Sequence, residues 1–491
     1  MRAGVCVILA MGALATMPWA AADCNPPMRP PANQRKFASQ AVDSIIASYQ
    51  PKFKDAQLGQ IFANALPNTL DTTVFEHTTS GELAPDTFII TGDITAMWLR
   101  DSANQVAPYM RFVSQDSGLF SLISGLVRRQ ARQVLVDPYA NAHQLEGSPP
   151  SPHTDDSTST PAFAGTRVGA MGPTIFERKF EIDTLANFLH LSASFFAAAG
   201  KDQPTFGAPV NAAGQTWADA AELVIDTLRT QQASSEEEGG NPPYLFQRTT
   251  SQPTDSLQFG RGAPAARTGM IKTGFRPSDD AHTLPFNIPG NAYVVVALRE
   301  AAAVLSALGR ADSAASALAL ADEVNAGILA FGVVNHPGAN GTVLAYEVDG
   351  YGNSYFMDDA NLPSLLGIPV YGWTNTTDPL YMRTRALLLS KANPYYFSGS
   401  VGQGTGGPHD GLDRIWPMSM VARASTALSD QEVLSVLEQL KGSTACTGLM
   451  HESINKNSAG SYTRPWFAWA NSFFGGLILD LAETRPHLIF A

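Results

Sequence analysis

Apolar side chains spaced three and four residues apart recur along most of this chain, and that period points to a helical architecture. Residues 37–49 carry Ala41, Val42, Ile45 and Ile46 on one face, and 55–65 carry Leu58, Ile61 and Phe62. Residues 180–199 place Phe180, Leu185, Phe188, Leu189 and Phe196 at the same spacing. Residues 292–308 and 311–331, broken at Gly309, read as a helical hairpin, and 431–440 and 467–482 complete the set. Strand-like runs are short, at 88–90 and 343–346. Between the helices lie long loops rich in Gly, Pro, Ser and Thr, notably 147–166 and 234–267. Loops of that length inside a compact domain usually carry function. The helical patterns on both sides of each loop have the same composition, so neither loop reads as a linker. The expectation is one all-α domain over 23–491, a toroid of helical hairpins whose loops gather into a pocket at one end.

The ends and the charge narrow the setting. Arg2, an apolar stretch over 5–14 and the run Trp19-Ala20-Ala21-Ala22 read as a signal peptide over 1–22. The mature chain is expected to begin near Ala22 or Asp23 and to be secreted or lumenal in the secretory pathway. No later stretch is expected to be long and apolar enough to cross a bilayer. A formal charge of −12 argues against nucleic acid and anionic membranes as partners, and no obligate protein partner is evident. Cys6 leaves with the signal, so Cys24 and Cys446 are expected to pair. Asn340-Gly341-Thr342 and Asn375-Thr376-Thr377 are glycosylation sequons.

Three polar segments depart from the helical pattern. The first is Trp98-Leu99-Arg100-Asp101-Ser102, where Asp101 or Ser102 reads as a helix cap or, with Arg100, as a binder of vicinal hydroxyls. The second is Gly274-Phe275-Arg276-Pro277-Ser278-Asp279-Asp280-Ala281-His282, in which one acid can cap a helix while the other is tuned by Arg276 and apolar walls to hold a proton. The third places His451-Glu452-Ser453 ahead of Arg464-Pro465-Trp466-Phe467-Ala468-Trp469-Ala470-Asn471. Aromatic rings can stack on sugar C–H faces beside a carboxylate and an Arg, although Phe467 reads as core and Trp466 reads equally as core or as sugar platform. Two carboxylates drawn from distant segments suit glycoside hydrolysis. The acidic run Met357-Asp358-Asp359-Ala360-Asn361 lacks the ligand spacing of a calcium loop, and there is neither a zinc signature nor a nucleophile elbow.

These residues resemble glycoside hydrolase family 125, the exo-acting α-1,6-mannosidases. The similarity rests on 91–102, 179–184, 274–281, 346–366, 406–417 and 449–475, and so spans nearly all of the mature chain. The resemblance implies an (α/α)6 barrel and hydrolysis with inversion that needs no metal or other cofactor. It implies Asp279 as general acid, with Asp280 as the alternative, and Glu452 as general base. It further implies that Trp98, Arg100, Asp101, Arg276, Asp280, His451, Arg464 and Trp466 bind the sugar. An α-mannoside oligosaccharide or glycoprotein glycan is then the expected substrate. A lyase or phosphorylase on the same toroid, and a non-catalytic mannan-binding protein, are the alternatives. The loops 147–166 and 234–267 depart from bacterial members of the family.

Overall fold

The computed structural model describes residues 24–159 and 171–491. The expected signal segment, and part of the 147–166 loop, lie outside the described residues. Among those described, twelve helices of eight or more residues build the molecule. In chain order they are α1 (Gln40–Tyr49), α2 (Ala56–Ala65), α3 (Leu99–Val106), α4 (Ser117–Val136), α5 (Ile182–Ala198) and α6 (Trp217–Thr230). The second half supplies α7 (Ile288–Ala307), α8 (Ala311–Gly327), α9 (Pro379–Leu388), α10 (Pro417–Ser425), α11 (Asp430–Ser443) and α12 (Ala468–Thr484).

Burial sorts these helices into two rings. Helix α3 packs against α5, α5 against α7, and α10 against α12, which closes back onto α3. Between α7 and α10 the inner ring is completed by residues 362–371, where Tyr371 packs on Tyr293 of α7 at 4.2 Å between ring centroids. The outer helices lie behind: α4 backs α5, α8 backs α7 and α11 backs α10. This is the expected six-hairpin helical barrel. Strands are confined to small two- and three-stranded sheets in the loops.

The observed helix ends follow local chemistry. Asp55 caps α2 by accepting from the N–H groups of Gln57 and Leu58, and Asp116 caps α4 in the same way. The hairpin α7–α8 turns at Gly309, whose φ of +77° is open to glycine without strain. Four helices were absent from the sequence reading: α4, α6, α9 and α10. Two corrections concern length. Helix α8 stops at Gly327 and is followed by a wide turn, Ile328–Gly332. And Ile288–Ala307 and Ala311–Gly332 are in fact long and apolar enough to cross a membrane by composition. The apolar faces of Ile288–Ala307 go to the barrel instead, since 78% of its most apolar window is buried inside the protein.

The two long loops meet. Ser157–Ser159, from the first, pairs antiparallel with Leu245–Gln247, from the second. Arg248 then bonds Asp156 (2.7 Å), Glu177 (2.8 Å) and Asp255 (3.0 Å), fastening both loops to the segment that enters α5. Cys24 and Cys446 are joined as expected, tying the N-terminal arm to the turn ahead of Met450.

Candidate active site

At the loop end of the barrel a cavity is lined by Thr91, Ile94, Trp98, Arg100, Asp101, Pro277, Ser278, Asp279, Asn361, His409, Trp416, Glu452, Arg464, Phe467 and Trp469. Three segments far apart in sequence deliver Arg100 and Asp101, Asp279, and Glu452 with Arg464, and a fourth brings His409. Met97–Trp98 is a short strand paired with Ala142–His143, and it feeds directly into α3. That junction fixes Trp98, Arg100 and Asp101 at the cavity floor, with Asp101 in the first helical turn where the helix dipole favours an acid. The Arg100 guanidinium lies 5.8 Å from the ring centre of Trp469 on α12.

Asp279 sits at the tip of a tight loop. The Arg276 N–H donates to the Asp280 carbonyl (2.8 Å) and the Asp279 N–H to the Arg276 carbonyl (2.9 Å). Asp279 itself has φ +67°, a left-handed conformation that costs a non-glycine residue free energy and is met at functional sites. The tip turns its side chain outward. Asp279 is 27% exposed and lines the cavity, whereas Asp280 is 4% exposed and points beneath it, with Oδ1 3.4 Å from His409 Nδ1. The geometry therefore separates the two acids that the sequence left open. Ser278 Oγ donates to Asp359 (2.8 Å), so the acidic run 357–361 braces this loop. Asp358 takes the backbone N–H groups of Leu365 and Leu366 and is a structural acid.

Glu452 follows a turn at Gly448. Its Oε2 accepts from Thr463 Oγ1 (2.9 Å) and lies 3.0 Å from Arg464 Nε. Arg464 also pairs with Asp93. Beside it Trp466 packs over Gly92, where a Cβ would come within 2.8 Å of the indole. Gly92, at φ +139°, thus allows the close approach of the two loops.

The site's charges are unevenly balanced. Around the Arg100 guanidinium stand Glu181, in a very short contact, and Asp279 (2.9 Å), Asp101 (3.5 Å) and Asp183 (3.6 Å). Burial pushes Asp101 and Asp183 each up to about 6, against the pull of Arg100. Burial also drives Glu181 well up. Asp279 goes the other way: burial opposes its charge, but Arg100 and Lys179 hold it well below the usual carboxylate range. Glu452 is raised by burial, with Arg464 opposing. His409 is lowered by burial but raised more by Asp280, Asp279 and Glu452, reaching about 9.

Not every expected residue reaches the cavity. Arg276, His451, Trp466 and Asp280 do not line it. Arg276 is buried and bonds Glu347 through Nε at 2.6 Å, because the turn that projects Asp279 sends the Arg276 side chain the opposite way. His451 is held between the carbonyls of Arg464 (2.8 Å) and Thr444 (3.1 Å) and stacks on Tyr462 at 3.9 Å. These are wall-building roles. Trp469, one of the aromatics read beside Glu452, lines the cavity; Asn361, His409, Trp416 and Phe467 line it without having been expected there, and Lys179 and Glu181 stand just behind Asp279.

The family model of metal-independent α-mannosidases, GH125, matches residues 55–479. The chain belongs to that family. A Schizosaccharomyces pombe protein, the meiotically up-regulated gene 157 protein, is 44% identical over 474 residues, covering 94% of this chain and 90% of the relative. Among solved structures, a Streptococcus pneumoniae metal-independent α-mannosidase in a non-productive complex with α-1,6-mannobiose superposes with a TM-score of 0.80 at 32% identity. That match covers 91% of this chain and 98% of the bacterial one. Membership makes the chain a glycosidase of the α-mannosidase class, and it fits a pocket built from carboxylates, guanidinium groups and indoles.

Proposed function

We propose that this protein removes terminal α-1,6-linked mannose from mannans or N-glycans by single displacement with inversion. The observation that carries the reading is that Asp279 and Glu452, from segments 173 positions apart in number (452 − 279), line one cavity in opposite electrostatic settings. Two carboxyls brought to one cavity from separate segments are what an acid and a base acting on one bond require. Asp279 protonates the glycosidic oxygen. Glu452, raised by burial yet paired with Arg464, takes a proton from the attacking water. Trp98, Trp416 and Trp469 offer ring faces to the terminal sugar, while Arg100, Asp101, His409, Asn361 and Arg464 hold its hydroxyls. The bacterial relative was solved with α-1,6-mannobiose, which supports that linkage.

The setting we infer is the secretory lumen or the cell exterior. The leader over 1–22, the disulfide and the exposed Asn340 and Asn375 all support it. The test is incubation with α-1,6-, α-1,2- and α-1,3-mannobiose, with and without EDTA. Release from the 1,6-linked dimer alone, unchanged by chelator, is expected, with β-mannose as the first product by NMR. α-Mannose appearing first would mean retention and a different role for Glu452.

A further inference from the structure

Arg464 serves two carboxylates from two sides. Its Nε lies 3.0 Å from Glu452 Oε2, and its Nη1 is in a very short contact with Asp93. The Glu452 side chain is 8% exposed, that of Arg464 25% and that of Asp93 60%. The three therefore run from the cavity wall to open water, with Asp93 at the outer end. Asp93 does not line the cavity. It belongs to the turn 91–96, which closes on itself: the Thr91 N–H donates to the Ala96 carbonyl (3.2 Å) and Thr91 Oγ1 to the Ile94 carbonyl (3.2 Å). Trp466, two residues beyond Arg464, packs over Gly92, next to Asp93. A guanidinium contact and an indole contact thus join this turn to a segment 371 positions further along the chain.

We infer that Asp93 is a positioning residue for the base: it anchors the outer end of the Arg464 guanidinium and so keeps Nε against Glu452. This rests on Glu452 being the base, as proposed above. Arginine is a long side chain whose rotamer freedom is costly to freeze, and one contact at Nε fixes neither its reach nor its plane. A second contact at the other side of the rigid fork fixes both. The seam between Trp466 and Gly92 sets how close the anchor stands, since a Cβ at Gly92 would come within 2.8 Å of the indole. Released from Asp93, the guanidinium is free to turn to water or toward Asp101, another acid that feels its charge.

Two effects of Asp93 on Glu452 oppose each other. As a charge it repels the ionised carboxylate; as an anchor it holds the cation that favours that form. The anchor wins on two counts. Asp93 stands mostly in water, which screens its charge. Arg464, by contrast, is in direct contact with Glu452 and is the leading charge acting on it. The other groups facing Glu452 are Thr463 across its own hairpin, His409 and Asp410 from the turn 408–411, and Asp101 at the start of α3. Asp93 acts on Glu452 through Arg464, so its effect should vanish once Arg464 is gone.

The test is the acidic limb of the kcat/KM profile against pH on α-1,6-mannobiose. The base acts ionised, so a weaker hold by Arg464 raises its pKa and moves that limb to higher pH. Asp93→Ala removes anchor and charge together. It should move the limb up by about 0.3–0.7 pH unit, the scale of an exposed ion pair, which is a loss of about two- to fivefold at a fixed pH below the limb. Asp93→Asn keeps an acceptor for Nη1 without the charge and should recover part of that shift. In an Arg464→Met background Asp93→Ala should add nothing. No shift in either Asp93 variant would overturn the inference. So would a shift to lower pH in both, which makes Asp93 a repelling charge only, or a full shift that survives in Arg464→Met. Thermal unfolding is read alongside, and Asp93→Ser is judged by the same criteria if Asp93→Ala does not fold. Glu452→Gln checks the reading beneath. An acidic limb that persists unmoved in its residual activity removes the base assignment itself, whereas a limb lost there but fixed in the Asp93 variants removes only the anchor.

Discussion

The two sides of the cavity are built on opposite plans. The Asp279 side is crowded: four carboxylates around one guanidinium, Lys179 behind, and two long loops fastened over them by Arg248. The Glu452 side is sparse. One Arg and one Thr hydroxyl bond a single carboxylate, His409 and Asp410 act on it from further off, and a disulfide anchors the segment just upstream. A crowded cluster retains protons by mutual repulsion among its members. A sparse one sets a single group's proton affinity through burial and a few neighbours, here with Arg464 the strongest of them. An enzyme that must donate a proton on one face and accept one on the other can use both arrangements in a single pocket.

The sharpest way to break this comparison is to neutralise each side. Asp279→Asn and Glu452→Gln should each lower turnover by roughly 10²–10⁴-fold or more, with little change in unfolding temperature. The losses should differ in kind: that of Asp279→Asn grows as the leaving group becomes more basic, and that of Glu452→Gln does not. Matching leaving-group slopes for the two variants would erase the distinction. Next in size is Arg276→Met on the crowded side. It leaves the buried Glu347 without its cation, holding only the Thr283 and Leu284 N–H groups, which should cost about 3–5 kcal/mol in a denaturant melt while the folded fraction keeps its turnover. On the sparse side, Cys24→Ser with Cys446→Ser should cost about 2–5 kcal/mol, read as a fall in the unfolding midpoint. The smallest effect is electrostatic. As the proposed base Glu452 must be ionised to act, so activity should be lost as pH falls through its raised pKa. Arg464→Met removes the charge that favours the ionised form, so the acidic limb should shift to higher pH. A shift to lower pH would contradict that role for Arg464.

Legibility followed the same divide. Trp98, Arg100, Asp101, Asp279, Glu452 and Arg464 stand at a helix entrance or in loops where charge beside aromatics has no solvated helix face to explain it, and all six line the cavity. Glu181 and Lys179 gave no such sign. In Lys179-Phe180-Glu181-Ile182-Asp183 charges alternate with apolar residues at a helix entrance, which reads as ordinary first-turn acid. Their importance arises only when α3 and the 274–282 loop converge on them. Arg276 failed for the converse reason: it neighbours Asp279 in sequence, but the turn between them sends the two side chains apart. The toroid was legible from periodicity, although α4 was overlooked despite apolar residues at 119, 122, 123, 126, 127 and 134 behind an Asp116 cap. Helices α9 and α10 open on Pro379 and Pro417 and bury small or polar residues such as Thr384, Ser419 and Ala422, which blurs their apolar period.

The antiparallel pairing of Ser157–Ser159 with Leu245–Gln247 binds two loops into one unit of variation. A residue gained or lost in either strand flips the faces of its side chains and breaks the register of the other. Such a change also shifts Asp156 away from Arg248 and loosens the shared clamp on Glu177. Lengths of the two loops should therefore drift together through descent, and a chimera that takes one loop from a relative without its mate should fold with a damaged rim.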